Sequence, residues 1–107
     1  MHSSSALHEI ITHFGGDARL SELGIRALIT DEAHVGFRFL RPNSKGVRSA
    51  NISFEPGGTC SVDCFGRLEP GAFRAPIVAS ANGILLENLP SALGALTGIE
   101  SLQQRHF

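Results

Sequence analysis

The chain has 107 residues, of which 42% are hydrophobic and 18% charged, a balance that suits one folded domain spanning 1–107 and gives no sign of disorder. Nine basic and ten acidic residues leave a formal net charge of −1, so no surplus field favours nucleic acid or an anionic lipid surface. No charged start followed by an apolar core marks a signal peptide, and Glu87, Asn88 and Pro90 break the longest apolar runs well short of a membrane span; a soluble cytoplasmic protein without nucleic-acid or membrane partners is expected.

The first periodic segment is SSALHEIITHF, where Leu7, Ile10, Ile11 and Phe14 recur at the i, i+3, i+4, i+7 spacing of one helix face. Ser4 or Ser5 is placed to cap this helix and Gly15-Gly16 to stop it. Asp17 is placed to cap a short second helical turn that points Leu20 and Leu23 inward and ends at Gly24.

From Ile25 the period changes to two. Ile25, Ala27 and Ile29 alternate with Arg26 and Thr30; past the Asp31-Glu32-Ala33 turn, Val35, Phe37 and Phe39 alternate with His34 and Arg38. The polar loop RPNSKG leads to a third strand on which Ala50, Ile52 and Phe54 alternate with Asn51, Ser53 and Glu55. Glu55-Pro56-Gly57 and Glu69-Pro70-Gly71 carry Pro and Gly where a type II turn needs them, and between them runs the strand Thr59 to Phe65. Asn82-Gly83, between IVASA and ILLEN, predicts a tight hairpin, with a helix over Ile77–Leu86 as the competing reading. A last helix opens with Asn88 and Pro90 and presents Leu89, Ala92, Leu93, Leu96 and Ile99 as an apolar stripe. The predicted fold is α+β, an antiparallel meander of five or six strands with the N-terminal and C-terminal helices packed on one face.

Both cysteines sit in GGTCSVDCFG. On a strand rising ~3.3 Å per residue, Cys60 and Cys64 are about 13 Å apart, too far for a disulfide or shared zinc ligation, so both are expected as inert core residues. HEIITH looks like a zinc-binding H-E-x-x-H with one residue added, but positions five apart on a helix project about 140° apart, so His8 and His13 do not grip one metal. No metal and no cofactor is expected. Phosphate-cradling glycine loops and nucleophile elbows are absent from the sequence.

The non-core sheet face is predicted to carry Arg26, His34, Arg38, Asn51, Ser53, Ser61, Asp63 and Arg67. From these, Arg38, Asp63, His34, Ser53 and Arg26 form the candidate ligand-binding set, since Arg and Asp with an intervening Ser suit a small anion or polar metabolite and His34 is the general-base type within the sheet. Eight of the nine basic residues are Arg, the side chain that forks onto carboxylates and phosphates. Leu28, Leu40 and Phe65 on the same face predict partial cover by a loop, a ligand or another subunit. On the last helix a row of small residues, Ser91, Gly94, Ala95, Gly98 and Ser101, predicts close backbone approach, either to the first helix or, through Gly94, Ala95 and Gly98, to a second copy.

Three functions follow. The first is a non-catalytic binding or interaction module, a homodimer with a small-molecule or protein-partner site on the sheet face. The second is a small enzyme using His34, Arg38 and Asp63, which requires the three side chains to converge on one ligand atom. The third is a chaperone, immunity or antitoxin protein that binds a partner protein.

Overall fold

The computed structural model describes residues 2–31, 34–99 and 102. Helices α1 (His2–His13) and α2 (Asp17–Glu22) precede strands β1 (Ile25–Asp31), β2 (His34–Phe39), β3 (Ser49–Phe54), β4 (Thr59–Phe65) and β5 (Ile77–Leu85); a 3₁₀ turn (Leu86–Asn88) then leads into α3 (Leu89–Thr97). The strands pair in sequence order, every pair antiparallel, as one open five-stranded meander. The class is the α+β one that the periodicity predicts. The Glu32-Ala33 turn and Ser101 lie outside the described residues, as do the side chains of Leu7, Ile29 and Thr30.

The registers align the apolar positions of all five strands on one side. Ile25 faces Phe39, Val35 faces Ile52, Phe37 faces Ala50, Ile52 faces Val62, Cys60 faces Ile84 and Cys64 faces Ala79. These residues join Ile10 and Phe14 of α1, Leu20 of α2, and Leu89 and Leu93 of α3 in a single hydrophobic cluster. The Phe14 ring meets Phe37 edge-on, with centroids 5.1 Å apart at 73°, the arrangement the aromatic quadrupoles favour. Within α3 the buried Thr97 hydroxyl donates to the Leu93 carbonyl at 2.8 Å, so its polar atom enters the core satisfied.

Several local signals resolve as the chemistry predicts. Gly15-Gly16 stops α1, with the Gly16 N–H donating to the Ile11 carbonyl at 2.9 Å. The turn at Glu69-Pro70-Gly71 closes with the Ala72 N–H on the Glu69 carbonyl at 3.0 Å. Other signals resolve differently. α1 runs through Ser3, Ser4 and Ser5, so neither Ser4 nor Ser5 caps it; Asp17 is the first residue of α2, in the turn where the helix dipole favours a carboxylate, and Gly16 takes the cap position.

The largest correction lies at Asn82-Gly83, which forms neither hairpin nor helix. A type I′ hairpin turn needs positive φ at both central residues, yet Gly83 alone adopts it (66°) and no described non-glycine residue does. β5 instead runs straight through as one nine-residue strand with an extra residue opposite the Cys60–Val62 stretch and another near Phe65. The Gly83 N–H, taken out of the ladder by this bulge, donates to Glu55 Oε1 at 3.0 Å, and the same oxygen accepts from Thr59 Oγ1 at 2.9 Å.

Phe37, at the centre of the buried face, carries the core prediction. Phe37→Ala is expected to lower stability by about 3–5 kcal/mol, whereas Leu28→Ala on the opposite face costs about 1 kcal/mol or less, both read from urea unfolding midpoints at constant slope.

Candidate functional site

Because side chains alternate, everything not in the core row of a strand faces the other way, and the registers give that open face three rows. The first runs Arg26, Arg38, Ser49, Phe65, Ile77; the second Leu28, Gly36, Asn51, Asp63, Ser80; the third includes His34, Ser53 and Ser61. All five residues of the candidate set are on this face. The structure brings four of them together as two cross-strand pairs, Arg26 with Arg38 and His34 with Ser53.

His34, Arg38 and Asp63 are not brought together. His34 and Arg38 are four residues apart along β2, about 13 Å, and Asp63 lies two strands away, about 10 Å, in the row between them. His34 neighbours Ser53 across the β2–β3 pair, and the Ser53 hydroxyl lies 3.4 Å from Asn51 Nδ2.

The face has two differently charged ends. At one, Arg38, Arg48 and Arg67 line a groove of about 610 Å³ together with Ser49 and the apolar Leu40 and Leu68. The three arginines come from β2, from the residue before β3 and from the residues after β4, and the backbone around each is held. Asn43 clamps the β2–β3 loop, its Oδ1 accepting from the Val47 N–H at 2.8 Å and its Nδ2 donating to the Val47 carbonyl at 2.7 Å. The Val47 side chain is buried, and the Arg48 N–H donates to the Phe65 carbonyl at 2.8 Å. Beyond β4 the Gly66 N–H donates to the Pro76 carbonyl at 2.9 Å, tying the base of the 66–76 loop beside Arg67. Among the described residues no acidic side chain lines the groove, and none of the three guanidinium groups makes a hydrogen bond or ion pair.

At the other end Glu55, Asp63, Ser61, Ser80 and Asn82 line a polar hollow of about 370 Å³. Its Glu55 carboxylate already serves the turn and the β5 bulge through Thr59 and Gly83. Among the described residues no group of three or more His, Cys, Asp and Glu side chains is gathered as metal donors. His8 and His13 are both exposed on α1.

Sequence reasoning missed Arg48. Counting by two from the buried Ala50 assigns position 48 to the core side, but the inward residue is Val47, so the alternation slips by one between Val47 and Ser49. The arginine-rich composition was the available signal; the slip was not visible.

Two glycines of the small-residue row of α3 are packed within the chain. Gly94 is buried, and Gly98 is the C-cap at φ 77°, its N–H donating to the Gly94 carbonyl at 2.8 Å. A Cβ at Gly98 would run into the Ser44 hydroxyl, so the close approach there is to the β2–β3 loop and not to α1. Ala95 is exposed.

What fold and face define is an α+β meander with one sheet face that no helix covers among the described residues and with charge segregated across it. Comparison with protein-family models, with curated proteins and with solved structures finds no match. No helix among the described residues is long and apolar enough to cross a membrane.

Both thiols are free and buried on the core side of β4. Burial pushes the Cys64 thiol up to about 11, with the Asp63 carboxylate adding to it; Cys60 is also raised, first by burial and then by Glu55 and Glu9. Neither is a nucleophile near neutrality. Below the ordinary thiol value of 9.0 both states keep the Cys64 proton and its full stability contribution is present. Above that value the unfolded chain loses the proton while the native chain holds it to about 11, so stability falls across this window, by on the order of 1 kcal/mol per pH unit for Cys64. Urea unfolding from pH 8 to 11 is expected to show this loss, with a shallower slope in Cys64→Ala than in Val62→Ala, which shortens the same face of β4 without touching a thiol.

Proposed function

We infer that the protein is a small non-catalytic binding or interaction module that works as a homodimer and uses the open sheet face as its binding surface. The observation that carries this reading is the face opposite the core: among the described residues no helix packs on it, and Leu40 is 64% and Ile77 61% exposed beside its polar rows. Apolar side chains grouped on an unlayered face favour a partner or ligand over water. The wide separation of His34, Arg38 and Asp63 in the register weighs against the enzyme reading, whose requirement was convergence.

For pairing of two copies the β5 edge is best suited. Ile77–Leu85 holds no charged residue and no proline, so apart from its two bulges it lacks the guards that keep sheet edges apart. A twofold axis at Ala81 sets Ile77 of each copy against Leu85 of the other on the open side, a self-complementary contact of the kind twofold dimers require. Ten strands would then form one sheet, with both open faces left accessible.

Light scattering is expected to give a concentration-dependent mass approaching twice the 11.4 kDa of the chain, falling to the single-chain value in Val78→Lys, which sets a charge against the apolar Ile84 position of the other copy and guards the edge. A wild-type mass that stays at one chain at every concentration refutes the dimer.

A further inference from the structure

We propose that the groove between Arg38, Arg48 and Arg67 is a binding site for a small organic anion of at least two negative charges, a phosphate monoester or a polycarboxylate, that carries an apolar group. The inference deepens the reading of the open face as a binding surface and does not depend on the dimer.

Three features make the groove a site. The first is charge without compensation. A chain of net charge −1 has ten acidic residues, yet none of the described ones lines this groove, and its three guanidinium groups have no partner among the described residues. Arg26, cross-strand from Arg38, adds a fourth positive charge on the same row. Like charges directly opposite one another destabilise a sheet, so this arrangement costs stability in the free protein and is relieved by an anion.

The second is convergence of separate segments. The arginines arrive from three places in the sequence, and Asn43 and the Gly66–Pro76 contact fix the loops that bring two of them. Ordinary solvated arginines need no such positioning; a site that grips oxygen atoms from several sides does.

The third is the nature of the lining. Leu40 and Leu68 offer apolar walls and Ser49 a hydroxyl, in a volume of about 610 Å³, within the range of small-molecule pockets. An inorganic ion would leave those walls wet. Guanidinium forks suit a dianionic head with several acceptor oxygens, and the leucines suit an apolar flank.

Thermal unfolding of the full chain with phenyl phosphate, phthalate and benzoate tests the assignment, each matched in ionic strength with sodium chloride. Phenyl phosphate or phthalate is expected to raise the unfolding midpoint saturably and benzoate to do so far less; the stronger of the first two identifies the head group. Arg38→Gln, Arg48→Gln and Arg67→Gln are each expected to weaken the response roughly tenfold or more. Arg74→Gln, which removes an exposed arginine of the same loop that does not line the groove, is expected to keep it. All three groove arginines are exposed, so the variants should fold, and without ligand at low salt their midpoints should equal or exceed that of the wild type.

No response to either dianion, a response matched by sodium chloride or by benzoate, or a response that survives all three groove substitutions would overturn the proposal. Mass measured in parallel separates this outcome from the dimer's: a dimer that ignores both dianions leaves the interaction module standing without this site, and a monomer that binds them leaves the site standing without the dimer.

Discussion

The fold depends on a register that places Val35, Phe37, Ala50, Ile52, Val62, Cys60 and Cys64 on one side of three central strands. A slip of one residue at any of these pairings would send an entire apolar row into water, so the burial of that face and the pairing that creates it are one constraint. Phe14 against Phe37 couples α1 to the same row, and Leu89 with Leu93 brings α3 into the cluster. The three helices, of 12, 6 and 9 residues, pack their apolar side chains into the cluster on that side, and among the described residues no helix contributes to the second side of the sheet. Its polar rows are the direct counterpart of the apolar ones, and any binding surface the sheet offers is on that side.

Where the regular ladder fails, other interactions take over its unpaired groups. The bulge at Gly83 removes an N–H from the β4–β5 pair, and the Glu55 carboxylate receives it while holding Thr59 across its own turn. One side chain thereby ties the β3–β4 turn to the edge strand. The β2–β3 loop is likewise closed by Asn43 on both polar groups of Val47, and Gly98 lets the end of α3 pack against it. These irregular contacts set the shape of the two ends of the open face, while the ladder sets the rows between them.

Most of the architecture was legible because it rests on periodicity. The change from 3.6 to 2 at Ile25 separated helices from sheet, and the alternation of Cys60, Val62 and Cys64 with Ser61 and Asp63 assigned the thiols to the core, where both are buried. The stripe Leu89, Leu93 and Leu96 identified α3. What could not be read were departures from period. Asn82-Gly83 is a strong local turn signal, and its outcome depended on a carboxylate 28 positions earlier. Val47 inward and Arg48 in the groove require a one-residue slip that a loop hides. Gly98 read as an interhelical contact because the loop that meets it was not yet placed in space. The candidate residues share one face, and the register separates them within it: His34 and Asp63 are in different rows from Arg38, while Arg48 and Arg67 line a groove with it.

Net charge concealed the same grouping. A total of −1 describes a protein with no preference for anions or cations, and at a distance beyond the screening length that description holds. Within a few ångströms the relevant quantity is which charges share a concavity, and the sheet separates them: guanidinium groups gather where β2, β3 and β4 approach the 66–76 loop, and Glu55 and Asp63 lie toward the opposite end. Their separation follows from strand geometry, since Arg38 is offset along the strand from Asp63 and two strands away from it. Neither end neutralises the other, so a near-neutral chain keeps a cationic groove, and local electrostatics there are decided by topology and not by composition.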